Sequence, residues 1–300
     1  MKQQETQTRN IQDYRLIALA MKKSGGKPWS ILTSDDVIQE LGLTPLQTAK
    51  LFSRLVSQQR IQQLRRGLYI APGVELPLGK IWTPSPYEAI YAYMTWLGAN
   101  WQITGLAAFN HYGFSTQVSQ VLTVYNDRLS EIYESSGGRF IFIKRPAEKL
   151  GNKLLCPMYG NIEIPFSSKA RTIFDAVYDG KRFGTLPSAY VWIRWVLEVE
   201  KNKDVIDELI QCCLIYGNKQ TISRIGFVLE RLNVDVSALT EKLAKEKTTT
   251  LFPLVPFIKD IPGERKGEID LRWKIIENKN LSQIFSTMEI PDEDNSERTA

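Results

Sequence analysis

Apolar residues recur at helical spacing in three short stretches near the start of the chain. Residues 11–23 place apolar side chains three and four positions apart, and a Ser-Gly-Gly sequence then predicts the end of a first helix. A second helix is predicted from Thr33, an N-cap followed by two acidic residues, to Gly42. A third begins at Thr44, which is followed by proline and by glutamine at the capping-box position, and runs to about residue 59.

The third predicted helix has one apolar face and one polar, cationic face. Residues 60–72 then predict two short strands around a turn at residues 65–67. A basic hairpin after a helix-turn-helix is typical of a winged helix, whose second helix enters the major groove of DNA. The polar face and the hairpin together supply the predicted DNA-binding residues: Thr44, Gln47, Lys50, Arg54, Gln58, Gln62, Arg65 and Arg66.

These side chains have the chemistry that DNA recognition needs. Amide and guanidinium groups can read base edges, whereas ammonium groups neutralise phosphates. Gln47 and Lys50 lie near the helix start, where recognition helices touch bases. Gln62, Arg65 and Arg66 are expected to meet phosphates or a minor groove. An ordinary solvated helix face has the same residue pattern.

Two hairpin residues are assigned structural roles. Gly67 is expected to adopt a positive φ in the turn, which glycine does without steric cost. Tyr69 is expected to be an aromatic residue of the core at the base of the wing. His111, the one histidine of the chain, is expected to end a helix rather than to catalyse.

The remaining sequence predicts a mixed domain with a small sheet and several helices. Helices are predicted near 87–96, 105–111, 168–178, 187–201, 205–216 and 220–232, and strands near 118–125, 139–144 and 153–165. In the last of these, Gly160 and Asn161 are expected to form the turn of a strand pair. The fold class is therefore α+β, with a winged helix at 1–75, a proline-rich linker at 76–86, an α/β domain at 87–285 and a disordered, acidic tail at 286–300.

Charge is distributed unevenly along the 300 residues. The first eighty carry twelve lysines and arginines against six acidic residues, although the whole chain has a net charge of only +5. The basic surplus thus belongs to the predicted winged helix, which favours a polyanion as its partner over a merely solvated basic face.

Several chemistries find no support in the sequence. One histidine and three cysteines, Cys156, Cys212 and Cys213, do not make a multi-histidine zinc site or a disulfide framework. No phosphate-cradling Gly-x-x-x-x-Gly-Lys sequence occurs, and Glu163, Asp175 and Asp127 do not form a recognisable nuclease motif. We therefore expect no metal, no cofactor and no enzymatic activity. No apolar run approaches membrane-spanning length and the first residues are polar, so the expected location is the cytoplasm.

Four basic residues of the larger domain are candidates for a second surface. Lys169 and Arg171 lie at a predicted helix start, where an anion could bind, although a solvated first turn looks the same. Arg224 and Arg231 flank the apolar stripe of a later helix and could meet RNA or a protein partner.

Three segments resemble the AbiEi family of type IV antitoxins and transcriptional regulators. The first is the wing sequence RGLYIAP at 66–72. The second, WQITGLAAFNHYGF at 101–114, is similar to a small-residue helix that ends in a His-Gly turn in that family. The third, SRIGFVLERL at 223–232, resembles a late helix of the family. The resemblance covers residues 10–280, and it departs from the family at Phe114 and in an insertion-like segment at 117–139.

This resemblance implies an antitoxin that also represses its own operon and takes part in phage defence. Its implied partners are double-stranded DNA of its own promoter, with inverted repeats, and a nucleotidyltransferase toxin that the larger domain neutralises without a stable complex. Lys169, Arg171, Arg224 and Arg231 are then the expected antitoxin surface. Two alternatives stay open: a nucleic-acid-processing enzyme targeted by the winged helix, and a regulator that responds to a small ligand.

Overall fold

The computed structural model describes residues 2–77, 80–117, 119–135, 138–158, 162–246, 249–257 and 266–287, with the backbone alone for residues 2–10. The architecture mixes helices with several sheets, which confirms the predicted α+β class. The chain forms two compact units. Unit 1 contains residues 1–101, 120–145 and 155–164, and unit 2 contains residues 102–119, 146–154 and 165–300.

Unit 1 begins with three helices and three strands. Both predicted helix starts after Thr33 and Thr44 are confirmed, and each threonine forms a complete capping box. The first strand was not predicted; it pairs antiparallel with the third, which also pairs with the second. The bounds are α1 Lys2–Ser24, β1 Trp29–Thr33, α2 Ser34–Leu41, α3 Pro45–Ser57, β2 Gln62–Arg65 and β3 Leu68–Pro72.

A buried apolar cluster holds these elements together. Leu16 of α1, Leu32 of β1 and Leu51 of α3 are almost completely inaccessible to solvent. The ring of Phe52 on α3 lies parallel to the ring of Tyr69 on β3, with 3.8 Å between ring centroids. Helices α1 and α3 therefore share one core with the hairpin.

The remainder of unit 1 is a helix with part of a sheet. The predicted cap at Ser85 starts α4, and the two predicted strands β5 and β7 pair in parallel. Strand β6 was not predicted, and it pairs antiparallel with β7. The bounds are α4 Pro86–Trp96, β5 Val121–Asn126, β6 Glu131–Ser135 and β7 Gly138–Lys144.

Strands β8 Lys153–Met158 and β9 Ile162–Ser167 are neighbours, as the sequence predicts, and each has residues in both units. The predicted turn at Gly160 and Asn161 lies outside the described residues.

Unit 2 is mostly helical. Strand β4 Trp101–Thr104, of which all but the first residue belongs to this unit, pairs in parallel with β9 at Ile103 and Phe166. Helices α6, α8, α9 and α10 then pack around a large apolar core that includes Tyr190 and Trp273. The bounds are α5 Leu106–His111, α6 Lys169–Tyr178, α7 Gly180–Phe183, α8 Ser188–Glu198, α9 Lys203–Tyr216, α10 Lys219–Arg231, α11 Ser237–Lys245, β10 Phe252–Pro253, β11 Glu268–Asp270, β12 Ile275–Glu277 and α12 Leu281–Thr287.

The compact units do not follow the predicted domain limits. Residues 87–101 group with the first seventy-five residues rather than with the larger domain. The predicted domains at 1–75 and 87–285 and the linker at 76–86 stay predictions. The predicted tail begins too early, since residues 286 and 287 belong to α12, and residues 288–300 lie outside the described part of the chain.

Candidate nucleic-acid interface

The start of α3 is fixed by hydrogen bonds of its own side chains. The Thr44 hydroxyl accepts from the Gln47 amide N–H at 3.3 Å, and the Gln47 side-chain oxygen accepts from the Thr44 N–H at 2.9 Å. Both side chains are exposed. The capping box therefore holds the helix end in shape, and the Gln47 oxygen can reach a base only by leaving this cap.

The middle of α3 presents one of its predicted cations to solvent and pairs the other with a buried carboxylate. Lys50 and Gln58 are exposed. The Nε of Arg54 donates to Oδ1 of Asp13 on α1 at 3.1 Å, and Asp13 is only 6% exposed. In this structure the Arg54 guanidinium is therefore directed to Asp13 and not to a DNA base. Arg54 thus ties α3 to α1.

The hairpin likewise divides into buried and exposed side chains. Gln62 is buried and its amide donates to the Trp82 carbonyl at 3.2 Å, so the expectation that it contacts DNA is wrong for this conformation. Arg66, at the turn, is exposed. It remains the cation of the hairpin that is placed to meet a phosphate.

Arg65 has three partners from other parts of unit 1. Its guanidinium forms an ion pair with Glu131 of β6 and lies 5.2 Å and 5.3 Å from the ring centroids of Tyr93 and Tyr133. These contacts hold Arg65 against α4 and β6 while 35% of its side chain stays exposed, so its phosphate contact remains a prediction. Burial raises the pKa of both tyrosines, so their rings stay neutral beside the arginine.

Gly67 has the positive φ that the sequence predicts, and Tyr69 packs on the core. Gly67 has φ +76°, and its carbonyl accepts from the Ser34 N–H at 3.1 Å, which joins the turn to the start of α2. Tyr69 is half-buried on Phe52, and burial raises its pKa.

A groove of about 870 Å³ lies beside the hairpin within unit 1. Aromatic and cationic side chains line it, and the indole of Trp96 at the end of α4 is 48% exposed. The sequence did not predict this groove, because Tyr133 and Glu134 belong to the strand β6 that was missed. The lining consists of Val56, Gln63, Arg65, Arg66, Tyr93, Trp96, Leu97, Leu129, Tyr133, Glu134 and Ser135.

In unit 2, Arg171 belongs to the interior rather than to a surface. It is 3% exposed; its Nε donates to Asp175 at 2.8 Å, and its Nη2 donates to the Lys149 carbonyl at 3.0 Å. Its guanidinium also lies 4.1 Å from the centroid of the Tyr216 ring. Arg171 and Asp175, four positions apart on α6, form an ion pair inside the protein. The expected antitoxin surface therefore cannot include Arg171.

Asp175 completes this buried network. Its second oxygen accepts from the hydroxyls of Thr104 at 2.9 Å and Ser167 at 3.2 Å. Burial raises the pKa of Asp175, against the opposing influence of Arg171 and the Thr104 hydroxyl.

The other candidates of this unit differ in exposure. Arg224 is 5% exposed and donates two hydrogen bonds to the Pro253 carbonyl, at 3.0 and 2.9 Å, so its prediction as a surface residue is also wrong. Lys169 is half-buried, paired with Glu200 and 4.6 Å from the Trp195 ring centroid. Arg231 is exposed over the ring of Phe227 and is the most accessible of the four predicted residues.

His111 ends α5 and stacks on Phe166 with 4.8 Å between ring centroids. Burial lowers the pKa of His111 and so favours the neutral imidazole. The sequence-based expectation was a charged histidine stabilised by the helix dipole. Among the described residues, no group of three or more His, Cys, Asp or Glu side chains could hold a metal ion. No helix in the described part of the chain has the length and apolar character that crossing a membrane requires.

Neither a protein-family model nor a curated protein matches the chain. Among solved structures, the chain is similar to the crystal structure of the RV2827C protein from Mycobacterium tuberculosis, with a TM-score of 0.55 and 12% sequence identity. The match covers 88% of this chain and 90% of that chain. At this identity the likeness concerns the fold alone, and it supports the mixed α+β architecture over nearly the whole chain.

Proposed function

We propose that this protein binds double-stranded DNA through a winged helix within its first 77 residues and represses its own operon. The observation that carries the proposal is the arrangement of α2, α3 and the hairpin. Two helices with complete capping boxes lie between the first and second strands of a three-stranded antiparallel sheet, and α3 presents a polar face to solvent. That order of elements is the one in which winged-helix proteins place a recognition helix and a wing.

The proposed interface is smaller than the sequence predicts. Lys50 and Gln58 on α3 and Arg66 at the hairpin turn remain exposed, whereas Arg54, Gln62 and Arg65 are engaged within unit 1. Lys50 and Arg66 are therefore the side chains assigned to phosphates, and Gln58 is assigned to a polar contact. Thr44 and Gln47 are assigned to orient the helix through its cap.

We further propose that the protein is the antitoxin of a type IV toxin-antitoxin system, acts in the cytoplasm and is not an enzyme. The support is the resemblance to the AbiEi family in three segments of the sequence. The counterpart is a nucleotidyltransferase toxin that is neutralised without a stable complex. Among the described residues, Arg231 is the exposed candidate for this task, and Lys169, which pairs with Glu200, is partly accessible.

The DNA part is tested by fluorescence anisotropy with a labelled duplex from upstream of the gene and with a scrambled duplex of equal length. The wild-type chain should prefer the upstream duplex. Gln58→Ala should lower that preference, while Lys50→Ala should weaken both duplexes together, because phosphate contacts carry no sequence information. Equal affinity of the wild type for both duplexes contradicts the role as an operon repressor.

The antitoxin part is tested by coexpression with the neighbouring gene. If that gene encodes a nucleotidyltransferase that arrests growth, the wild-type chain should restore growth and Arg231→Ala should restore it less. Lys203→Ala, an exposed lysine on α9, is the matched control. A toxin that arrests growth equally with and without the wild-type chain contradicts the antitoxin role.

A further inference from the structure

The groove beside the hairpin has walls that a ligand with an aromatic ring would fit. Arg65 lies between Tyr93 and Tyr133 and is ion-paired with Glu131, so this wall is held in place by contacts already made. Trp96 stacks on Tyr93 at 6.2 Å with 15° between the ring planes. The other part of the indole faces solvent, since 48% of Trp96 is exposed.

The exposed part of the Trp96 indole offers an aromatic face to a ligand. Among the exposed large apolar side chains described in unit 1, Trp96 is the aromatic one that lines this groove. A planar ring stacked on the indole would remove apolar surface from water and gain from the alignment of the two rings.

Polar side chains at the same groove favour a particular kind of ring. Gln63 is exposed on β2; its amide nitrogen donates to the Arg65 carbonyl at 3.2 Å, and its amide oxygen can accept a hydrogen bond from the edge of a base. The exposed guanidinium of Arg66 offers donors to a phosphate. Glu134 also lines the groove, but Arg139 lies 3.4 Å from its carboxylate and offsets its charge.

Size is consistent with this chemistry. A volume of about 870 Å³ lies within the range of about 300–1,000 Å³ that small-molecule sites occupy. Proteins that hold unpaired nucleotides combine stacking aromatic rings with arginines that follow the backbone. A base pair inside a duplex cannot offer the face of its base in this way, so the ligand must be unpaired.

We propose that this groove binds an unpaired nucleotide, with the base stacked on Trp96 and the phosphate contacted by Arg66. The inference shares Arg66 with the proposed duplex contact but depends on Trp96, which lies on α4 and not on α3 or the hairpin. The nucleotide could be free or part of a single strand, and both sources share the same base and phosphate chemistry.

The test uses the full chain, a labelled single-stranded oligodeoxyadenylate followed by anisotropy, and adenosine monophosphate followed by calorimetry. Trp96→Leu keeps an apolar side chain but removes the ring, and should weaken binding about fivefold or more. Trp96→Phe keeps a ring and should retain most of the affinity, which separates loss of stacking from loss of folding. Tyr14→Leu, which removes another exposed aromatic ring of unit 1, is the matched control and should bind as the wild type does.

Each outcome bears on the proposal. Binding of both probes, with the monophosphate displacing the oligonucleotide, supports a site that accepts either source. Binding of the oligonucleotide alone, with the same dependence on Trp96, supports a site for a single strand. The proposal is overturned if the wild type binds neither probe at millimolar concentration, if Trp96→Leu binds as tightly as the wild type, or if Tyr14→Leu loses as much affinity.

Discussion

Replacing Arg171 by alanine should strongly destabilise unit 2. The substitution removes a guanidinium that is 3% exposed and leaves the Asp175 carboxyl buried without its cation. Breaking a buried ion pair from one side costs about 3–5 kcal/mol, because the remaining group keeps its desolvation penalty. Loss of the hydrogen bond to the Lys149 carbonyl and of the contact with Tyr216 acts in the same direction.

This destabilisation is measured as the change in the free energy of unfolding in urea, followed by tryptophan fluorescence. Lys22→Ala is the control, since it breaks an exposed ion pair with Glu40 and should cost less than about 1 kcal/mol. Adding Asp175→Asn to Arg171→Ala should restore part of the stability, because the amide carries no charge to bury. A cost below about 1 kcal/mol for Arg171→Ala would refute the assignment of this pair to the interior.

Three further predictions concern other parts of the chain. The free energy of unfolding of the wild type should fall as pH drops from about 7.5 to 5.5, because the pKa of His111 is lowered in the folded protein and the unfolded chain therefore takes up the proton first. His111→Gln should make this fall smaller, as measured by urea titrations at several pH values. Gly226→Ala should destabilise the protein by about 1–3 kcal/mol in thermal unfolding, because the added Cβ would lie 2.0 Å from the Trp273 ring. Elsewhere in a helix, replacing glycine by alanine usually stabilises the protein. Arg54→Ala should lower the urea midpoint by leaving Asp13 unpaired, with the relative affinity for two duplex sequences unchanged.

Local capping signals allowed the helices of the first unit to be predicted from sequence. Thr33, Thr44 and Ser85 each precede a residue three positions later that closes a capping box, so the signal and the structure lie within four residues of each other. Positive φ at Gly67 is equally local. Strand β1 was missed because five residues with no clear alternation pair with a partner about forty positions away.

Side-chain partners across the sequence were not predictable in the same way. Arg65 and Arg66 look alike in the sequence, yet Glu131 engages the first and leaves the second exposed. Arg171 looks like a solvated residue in the first turn of a helix, and only the packing of α6 against α9 buries it. A basic residue in a sequence therefore indicates a binding surface only when its long-range partners are known.

The central claim is that Lys50 and Arg66 contact the phosphates of duplex DNA. It is tested most directly by the salt dependence of affinity for the upstream duplex, measured by anisotropy for the wild type and two double variants. Lys50→Ala with Arg66→Ala should reduce the slope of log affinity against log salt concentration by about two, since each phosphate contact contributes about 0.9. Lys181→Ala with Arg182→Ala removes the same charge from exposed positions on α7 and should leave the slope unchanged. Equal slopes for the wild type and the Lys50 and Arg66 variant would contradict the account.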